Sequence, residues 1–500
     1  MNGIASSGNG AAPSVNGTAP NGTVPTANGI APQVNGTAPQ VDGLANGVNG
    51  IALNGTSSSL DGSPQTIFDA IATRIPSRAA LAAKLMMKYR DSTVHEVTVE
   101  NIMGGMRGLP CMLWEISESD ATGVRHHKQS LSELEASLPK WPGSTQMSPE
   151  AMLWFLYTAQ IPTSAELQGF AAELARRAEL PSDALAFIDT LPKNISADSQ
   201  NIMIYTFLGK YSKFNAALAR GISKDDLWKH ALEDALDVIA RSPVIVAAVY
   251  AKANGIAQNA VPFSPAFDMA HNFARYIGKE GDNDFIEFTR LCWAFYLDHG
   301  ASVSSHGMRL ASSSWADPYS SLAAGYIGAT GPLHAKAIGD SVKFNLKALA
   351  ALGSDPSRDE IIAYIGNYIS EKKIIPGYGH ALLRVRDARL EILRRFLDEH
   401  PSSDPQARSL LSLIRNMNEC VPELLRERVP GMKNPHPNCD TLNGCILHAY
   451  GYPSDQLMLF FACSRAMGFM TQYVWDRALG LPIERPLSVT MDELLAKVQS

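Results

Sequence analysis

The chain has no excess of positive charge. Its 43 Lys and Arg against 49 Asp and Glu leave a formal net charge of −6, so no basic field draws in nucleic acid or an anionic membrane. An anionic ligand must then be held by individual arginines. No apolar run approaches the roughly 18 residues of a membrane span; the densest, residues 244–251, suits a buried helix. The six cysteines (Cys111, Cys292, Cys420, Cys439, Cys445 and Cys463) include no CxxC pair, which argues against a disulfide framework or a zinc knuckle and for a reducing compartment. There is no GxSxG elbow, Walker loop, HExxH helix or complete GxGxxG, since Gly377 and Gly379 lack the third glycine. Strand-like alternation is also scarce, with residues 94–99 the one modest candidate, so the expected fold class is all-α.

The 500 residues are not uniform. Residues 1–63 hold 12 of the 38 glycines and only two charges, Asp42 and Asp61, and repeat the dipeptide Asn-Gly nine times, often as Asn-Gly-Thr-Ala-Pro. So little apolar surface cannot offset the entropy of ordering, and this leader is expected to be disordered. The first basic residue is Arg74, whereas a mitochondrial transit peptide is Arg-rich, and a secretory apolar core is missing; the expected compartment is therefore cytoplasmic.

From residue 64 the pattern is helical. Leu227, Ala231, Ala235, Val238 and Ile239 recur at three- and four-residue steps, after an acidic Asp225-Asp226 start that suits a helix N-terminus. Similar stripes predict helices over 150–157, 285–296, 359–369, 386–396, 409–425 and 457–479. Between them, Gly- and Pro-rich breaks at 104–108, 331–334, 375–380 and 434–438 mark loops, and a helical scaffold displays its chemistry on such loops.

Singly, the polar residues have plain structural readings. His334 suits a buried helix start, His299 a helix C-terminus, and Asp440 a helix N-cap; His126-His127 reads as surface and His271 as core. Arginines change this picture. Arg389 follows His380 by nine residues, and Arg465 interrupts the apolar run Phe460-Phe461-Ala462-Cys463-Ser464-Arg465-Ala466-Met467. A guanidinium there is costly unless it meets an anion, either an internal carboxylate or a di- or tricarboxylate ligand gripped by bidentate contacts.

These residues fall within a series of blocks: Gly104-Gly105-Met106-Arg107-Gly108, Gln160-Ile161-Pro162-Thr163, Asp298-His299, Gly331-Pro332-Leu333-His334, Pro376-Gly377-Tyr378-Gly379-His380, Asn434-Pro435 with Asp440, Ser464-Arg465-Ala466, and Arg477-Ala478-Leu479-Gly480 with Glu484-Arg485-Pro486. In order and spacing the chain resembles citrate synthase of eukaryotic length over some 430 residues. The resemblance implies a two-domain, all-helical homodimer, with a large domain over 64–335 plus 452–500 and a small mobile domain over 336–451. It implies Asp440 as the base that deprotonates an acyl-CoA, His334 as donor to the enolate oxygen, and His380 as the group that polarises the ketone of oxaloacetate. His299, Arg389, Arg465 and, from the partner subunit, Arg485 would bind oxaloacetate. Arg384, Ile374, Gly377 and Lys433 would face CoA. Oxaloacetate and acyl-CoA are then the partners, and no metal or other cofactor is implied.

Some positions depart from the family's usual pattern. Ala335-Lys336-Ala337-Ile338 follows His334, Gly300-Ala301-Ser302 follows His299, and Ala216 occupies a usually basic CoA-facing position, leaving Lys213 or Arg220 as substitutes. The changed surroundings of His334 and the missing transit peptide point to an alkylcitrate synthase of fungal secondary metabolism, taking a longer acyl-CoA. Ordinary citrate or 2-methylcitrate synthase is the alternative, and a catalytically silent carboxylate- or CoA-binding helical dimer is a third reading from a different class.

Overall fold

Apolar residues spaced at three and four steps close into helices where the sequence predicts them. In the computed structural model, which describes residues 64–256, 261–380 and 383–499, these helices are Pro149–Thr158, Leu227–Ala253, Asn283–Phe295, Arg358–Ser370, Ala388–Glu399, Pro405–Arg428 and Leu457–Ala478. Asp225 and Asp226 lie in a single 3₁₀ turn, Lys224–Asp226, and the long helix starts one residue later. The leader expected over residues 1–63 lies outside the described residues.

The strand candidate at 94–99 is not a strand. Thr98 instead caps the short Val99–Met103 helix, its hydroxyl accepting the Asn101 N–H at 3.2 Å. The described strands form one antiparallel meander, Ser117–Asp120, Gly123–His126 and Gln129–Ser130, with Ser117 opposite His126. The fold class is otherwise all-α as expected. The block Gln160-Ile161-Pro162-Thr163 has a local explanation. Ala159 ends one helix at φ 56°, and Thr163 opens the next with a capping box to Glu166, a device that stabilises a helix start by about 1 kcal/mol.

Leu227–Ala253 and Leu457–Ala478 are buried on nearly every face and pack along one another, as helices that are apolar all round must. Two hydrogen bonds staple Asn283–Phe295 to the second of them: Trp293 Nε1 donates to the Phe460 carbonyl at 3.0 Å, and Ser464 Oγ to the Trp293 carbonyl at 2.7 Å. Farther along, Gly468 allows close approach, since a Cβ there would collide with the Leu297 carbonyl oxygen. The Leu297-Asp298-His299 segment therefore lies directly on the helix that carries Arg465. The described part of residues 53–500 forms one compact unit, and a second apolar cluster within it (Phe344, Ile361, Ile365, Leu413, Met417, Val421 and neighbours) is drawn wholly from residues 344–432.

Candidate active site

The centre of the site is Tyr296, which the sequence did not single out. Its ring lies against two guanidinium groups, with Arg389 Cζ 5.6 Å and Arg465 Cζ 5.4 Å from the centroid, and its hydroxyl donates to Asp440 Oδ1 at 3.3 Å. Three residues on from Tyr296, the helix end and the Gly468 contact bring His299 alongside, its ring 5.4 Å from that of His380. The expected residues Asp440, Arg389, Arg465, His299 and His380 thus come together from five separate segments.

The two arginines are held differently. Arg389 is tied to Asp387, Nε to Oδ1 at 3.0 Å and Nη2 to Oδ2 at 2.8 Å, and both side chains are nearly fully buried. Burial works against the Asp387 charge, yet the Arg389 guanidinium prevails and holds its carboxyl well below the usual carboxylate range. Arg465 makes no hydrogen bond or ion pair among the described residues and rests between the Tyr296 and Phe469 rings. Desolvation, opposed by the Asp298 charge, pulls its pKa down. A guanidinium with five donors and no bonded acceptor is a receptor for an anion.

Burial and the neighbouring arginines favour the neutral form of the three site histidines. Burial first, then the Arg465 charge, depresses His334 to about 4; burial and Arg389 lower His380, and the same pair of causes takes His299 well below its ordinary value. His380 Nδ1 accepts the Leu383 N–H at 2.9 Å, which places the ring proton on Nε2. Ser304 Oγ lies 2.7 Å from His334 Nε2. Where the hydroxyl donates there, the proton of the neutral ring sits on Nδ1; where Nε2 donates to the hydroxyl, Nδ1 is bare.

Asp440 is not the N-cap read from the sequence. Asn438 takes that task, its Oδ1 accepting the Asp440 N–H at 2.9 Å, so the carboxylate does not cap the turn. Burial raises its pKa, with Arg389 opposing and Asp387 adding to the rise. The loop bearing Asp440 is clipped to the loop bearing His380: Asn438 N–H donates to the Gly377 carbonyl at 2.9 Å, Gly379 N–H to the His436 carbonyl at 3.0 Å, and Asn438 Nδ2 to the Gly379 carbonyl at 3.0 Å. Gly377 and Gly379 both take left-handed φ, +80° and +88°.

Other expected residues lie outside this cluster. Ile374 and Lys433 are exposed, as is Arg384, whose Nη1 donates to the Leu383 carbonyl at 2.8 Å. Arg485 is exposed on the segment after Leu457–Ala478 and makes no hydrogen bond or ion pair among the described residues. Lys213 is no substitute for a basic residue at Ala216, because it pairs with Glu233 at 3.0 Å and Asp237 at 2.9 Å. The expectation that His126-His127 is surface is wrong. His126 points inward from its strand and is 1% exposed, and His127 Nε2 lies 2.8 Å from the Leu156 carbonyl, so burial depresses the two to about 4 and about 3.

Sequence reasoning gave no role to Tyr296, Asp387, Asp298 or Ser304. Asp298 accepts from Trp114 Nε1 at 3.2 Å, the Gly300 N–H at 2.9 Å and Ser117 Oγ, and so fixes the turn at His299. The one available signal was the Asp-Ala-Arg spacing of Asp387 and Arg389. Among the described residues no group of three or more His, Cys, Asp or Glu is arranged to hold a metal ion.

Residues 105–487 match the family model described as citrate synthase, C-terminal domain. The mitochondrial 2-methylcitrate synthase of Emericella nidulans is 35% identical over 427 residues, 84% of this chain and 92% of that protein. The mitochondrial citrate synthase of Saccharomyces cerevisiae is 35% identical over 446 residues, 88% of this chain and 91% of that protein. Among solved structures, the Thermoplasma acidophilum citrate synthase in ternary complex with carboxymethyl coenzyme A and oxaloacetate aligns with TM-score 0.64 at 18% identity, covering 78% of this chain and 95% of that one. The cytoplasmic placement expected from the leader is overturned by these relatives, which are mitochondrial by name. With a family model matching more than three quarters of its length and a helical fold to agree, the chain belongs to the citrate synthase family of condensing acyltransferases.

Proposed function

We propose that the protein condenses a short acyl-CoA, acetyl or propionyl, with oxaloacetate to give citrate or 2-methylcitrate and free CoA. The observation that carries this is Arg465, without an ion pair among the described residues, beside Arg389, an anion receptor placed against neutral histidines and the Asp440 carboxylate. The longer-chain, secondary-metabolite reading gives way, because the relatives are citrate and 2-methylcitrate synthases by name.

In this reading Arg389, Arg465 and His299 take the oxaloacetate carboxylates. Asp440 removes a proton from the carbon beside the thioester, while His334 donates a ring N–H to the developing enolate oxygen. The enol carbon then attacks the oxaloacetate ketone. His380 polarises that ketone from Nε2, and the new alkoxide oxygen gains the proton. Water next adds to the thioester carbonyl, the C–S bond breaks and CoA leaves as its thiol. Both substrates are consumed without a metal cofactor.

The CoA moiety is assigned to Arg384, Ile374, Gly377 and Lys433, which lie on the two clipped loops and the residues flanking them. A mobile small domain over 336–451 is supported by the separate apolar cluster in that segment. A homodimer in which Arg485 completes the partner's site is supported by the exposure of that arginine and by exposed Leu487 and Met491 near it. The test is thiol release from acetyl-, propionyl-, hexanoyl- and decanoyl-CoA with oxaloacetate. The two short substrates are expected to be fastest; no release from any, or a preference for hexanoyl- or decanoyl-CoA, overturns the proposal.

A further inference from the structure

We infer that Tyr296 is a positioning residue for the base: with Cys439 it holds one oxygen of Asp440, Oδ1, and leaves the other, Oδ2, to take the substrate proton. This rests on the reading of Asp440 as the base and goes beyond it by assigning the reactive oxygen and what orients it.

The geometry is asymmetric. Tyr296 Oη donates to Oδ1 at 3.3 Å, and Cys439 Sγ approaches the same atom at 3.7 Å. Oδ2 accepts no hydrogen bond among the described residues. A carboxylate held through one oxygen cannot swing about its Cβ–Cγ bond without losing both contacts. The free oxygen therefore keeps a fixed direction, which is what proton abstraction from carbon requires.

Tyr296 is itself well fixed. Its ring packs on Phe461 with centroids 4.7 Å apart and lies against both arginines at cation–π distance. Burial pushes its phenol pKa well above the ordinary value, so the hydroxyl remains a donor throughout the working pH range. The groups facing Asp440 are Arg389 and Asp387 from the start of Ala388–Glu399, Tyr296 from the end of Asn283–Phe295, and the adjacent Cys439. Cys439 ties these together, because its backbone N–H donates to Asp387 Oδ2 at 3.2 Å. One tyrosine thus touches both the carboxylate receptors and the base, with its ring serving the first and its hydroxyl the second.

The split between ring and hydroxyl makes the inference testable. Tyr296→Phe keeps the ring and removes the donor. Oxaloacetate affinity, read by calorimetry, should stay within about twofold, while kcat at pH 7 falls about fivefold, the worth of one lost hydrogen bond. Because the hydroxyl bond lowers the Asp440 pKa, its loss raises that pKa, and the acid limb of the kcat profile should move to higher pH. Tyr296→His restores a donor on a ring and should recover most of the loss, whereas Tyr296→Leu should weaken oxaloacetate binding as well. Unchanged kcat and pH profile in Tyr296→Phe overturn the inference; so does an equal fall in affinity and kcat, which would mark a merely structural role. Asp440→Asn, run alongside, tests the underlying reading, since turnover surviving in that variant removes the base assignment whatever Tyr296 does.

Discussion

Gly377→Ala should disable the enzyme while leaving it folded. At φ +80° an alanine pays about 1–2 kcal/mol for the left-handed conformation, and its Cβ would sit 2.5 Å from Thr441 Cγ2 and 3.1 Å from Thr441 Cα and N. Comfortable carbon contacts need about 3.5 Å, so one side must retreat by about 1 Å. Thr441 cannot turn away freely, because its hydroxyl donates to the Asn438 carbonyl at 3.0 Å and accepts from Asn418 Nδ2 at 3.3 Å. The displacement passes to the neighbouring residue, Asp440. A 1 Å misplacement of a reacting group costs about 100-fold in rate. The assay is steady-state thiol release with acetyl-CoA and oxaloacetate, with urea unfolding as the fold control. Adding Thr441→Ser to the same chain removes Cγ2 and keeps the hydroxyl bonds, and should return about tenfold of the lost rate, the backbone contacts accounting for the rest. Wild-type turnover in Gly377→Ala, or no recovery in the double variant, would refute the steric argument.

Arg465→Met should weaken oxaloacetate binding by about 100-fold, from about 3 kcal/mol of charge-assisted contacts, without lowering stability toward urea, because the ligand-free protein gives this guanidinium no ion pair to lose; calorimetry showing an affinity within threefold of wild type would refute it. Three buried histidines should withdraw stability as the pH falls. His126, His127 and His334 have folded pKa values of about 4, about 3 and about 4, below the roughly 6.5 of an unfolded histidine, so their share of the stability is lost as pH falls from 6.5 to about 4, while Glu150 at about 7 and Asp198, Asp234 and Asp476 at about 6, raised by burial, act in the opposite sense. The His126→Gln variant should therefore lose less of its urea midpoint between pH 7 and 4.5 than the wild type does, and equal losses in the two would contradict this.

The helices were legible because burial on one or more faces writes a 3.6-residue period into the sequence, and 227–253 and 457–478 carry it strongly. The meander was not legible. Its strands are two to four residues long and rich in Ser, Glu, Asp and His, so no apolar alternation marks them, while the valines at 94–99 mimicked a strand that nothing pairs with. In the site, Arg465 was readable from the cost of a charge amid apolar residues. Tyr296 was not, because an aromatic residue at the end of an apolar helix looks like core until its hydroxyl is seen on Asp440. Asp440 itself was misread locally: the capping signal was real, but Asn438 two residues earlier answers it.

The hydrogen bonds between the 377–379 and 436–438 segments have a kinematic consequence. They join His380 to Asp440, and the Asp387 contact with the Cys439 N–H adds Arg389, so these three groups keep their mutual distances under any displacement that spares the clip. His299 and Arg465 belong to the other set, locked together through Gly468 and the Trp293 staples. The proposed site is therefore two hydrogen-bonded sets of side chains rather than a ring of independent ones. Tyr296 follows the helix of the second set and places its hydroxyl on Asp440 of the first, so under the proposed mechanism any change in the spacing of the two sets is felt at that one hydrogen bond.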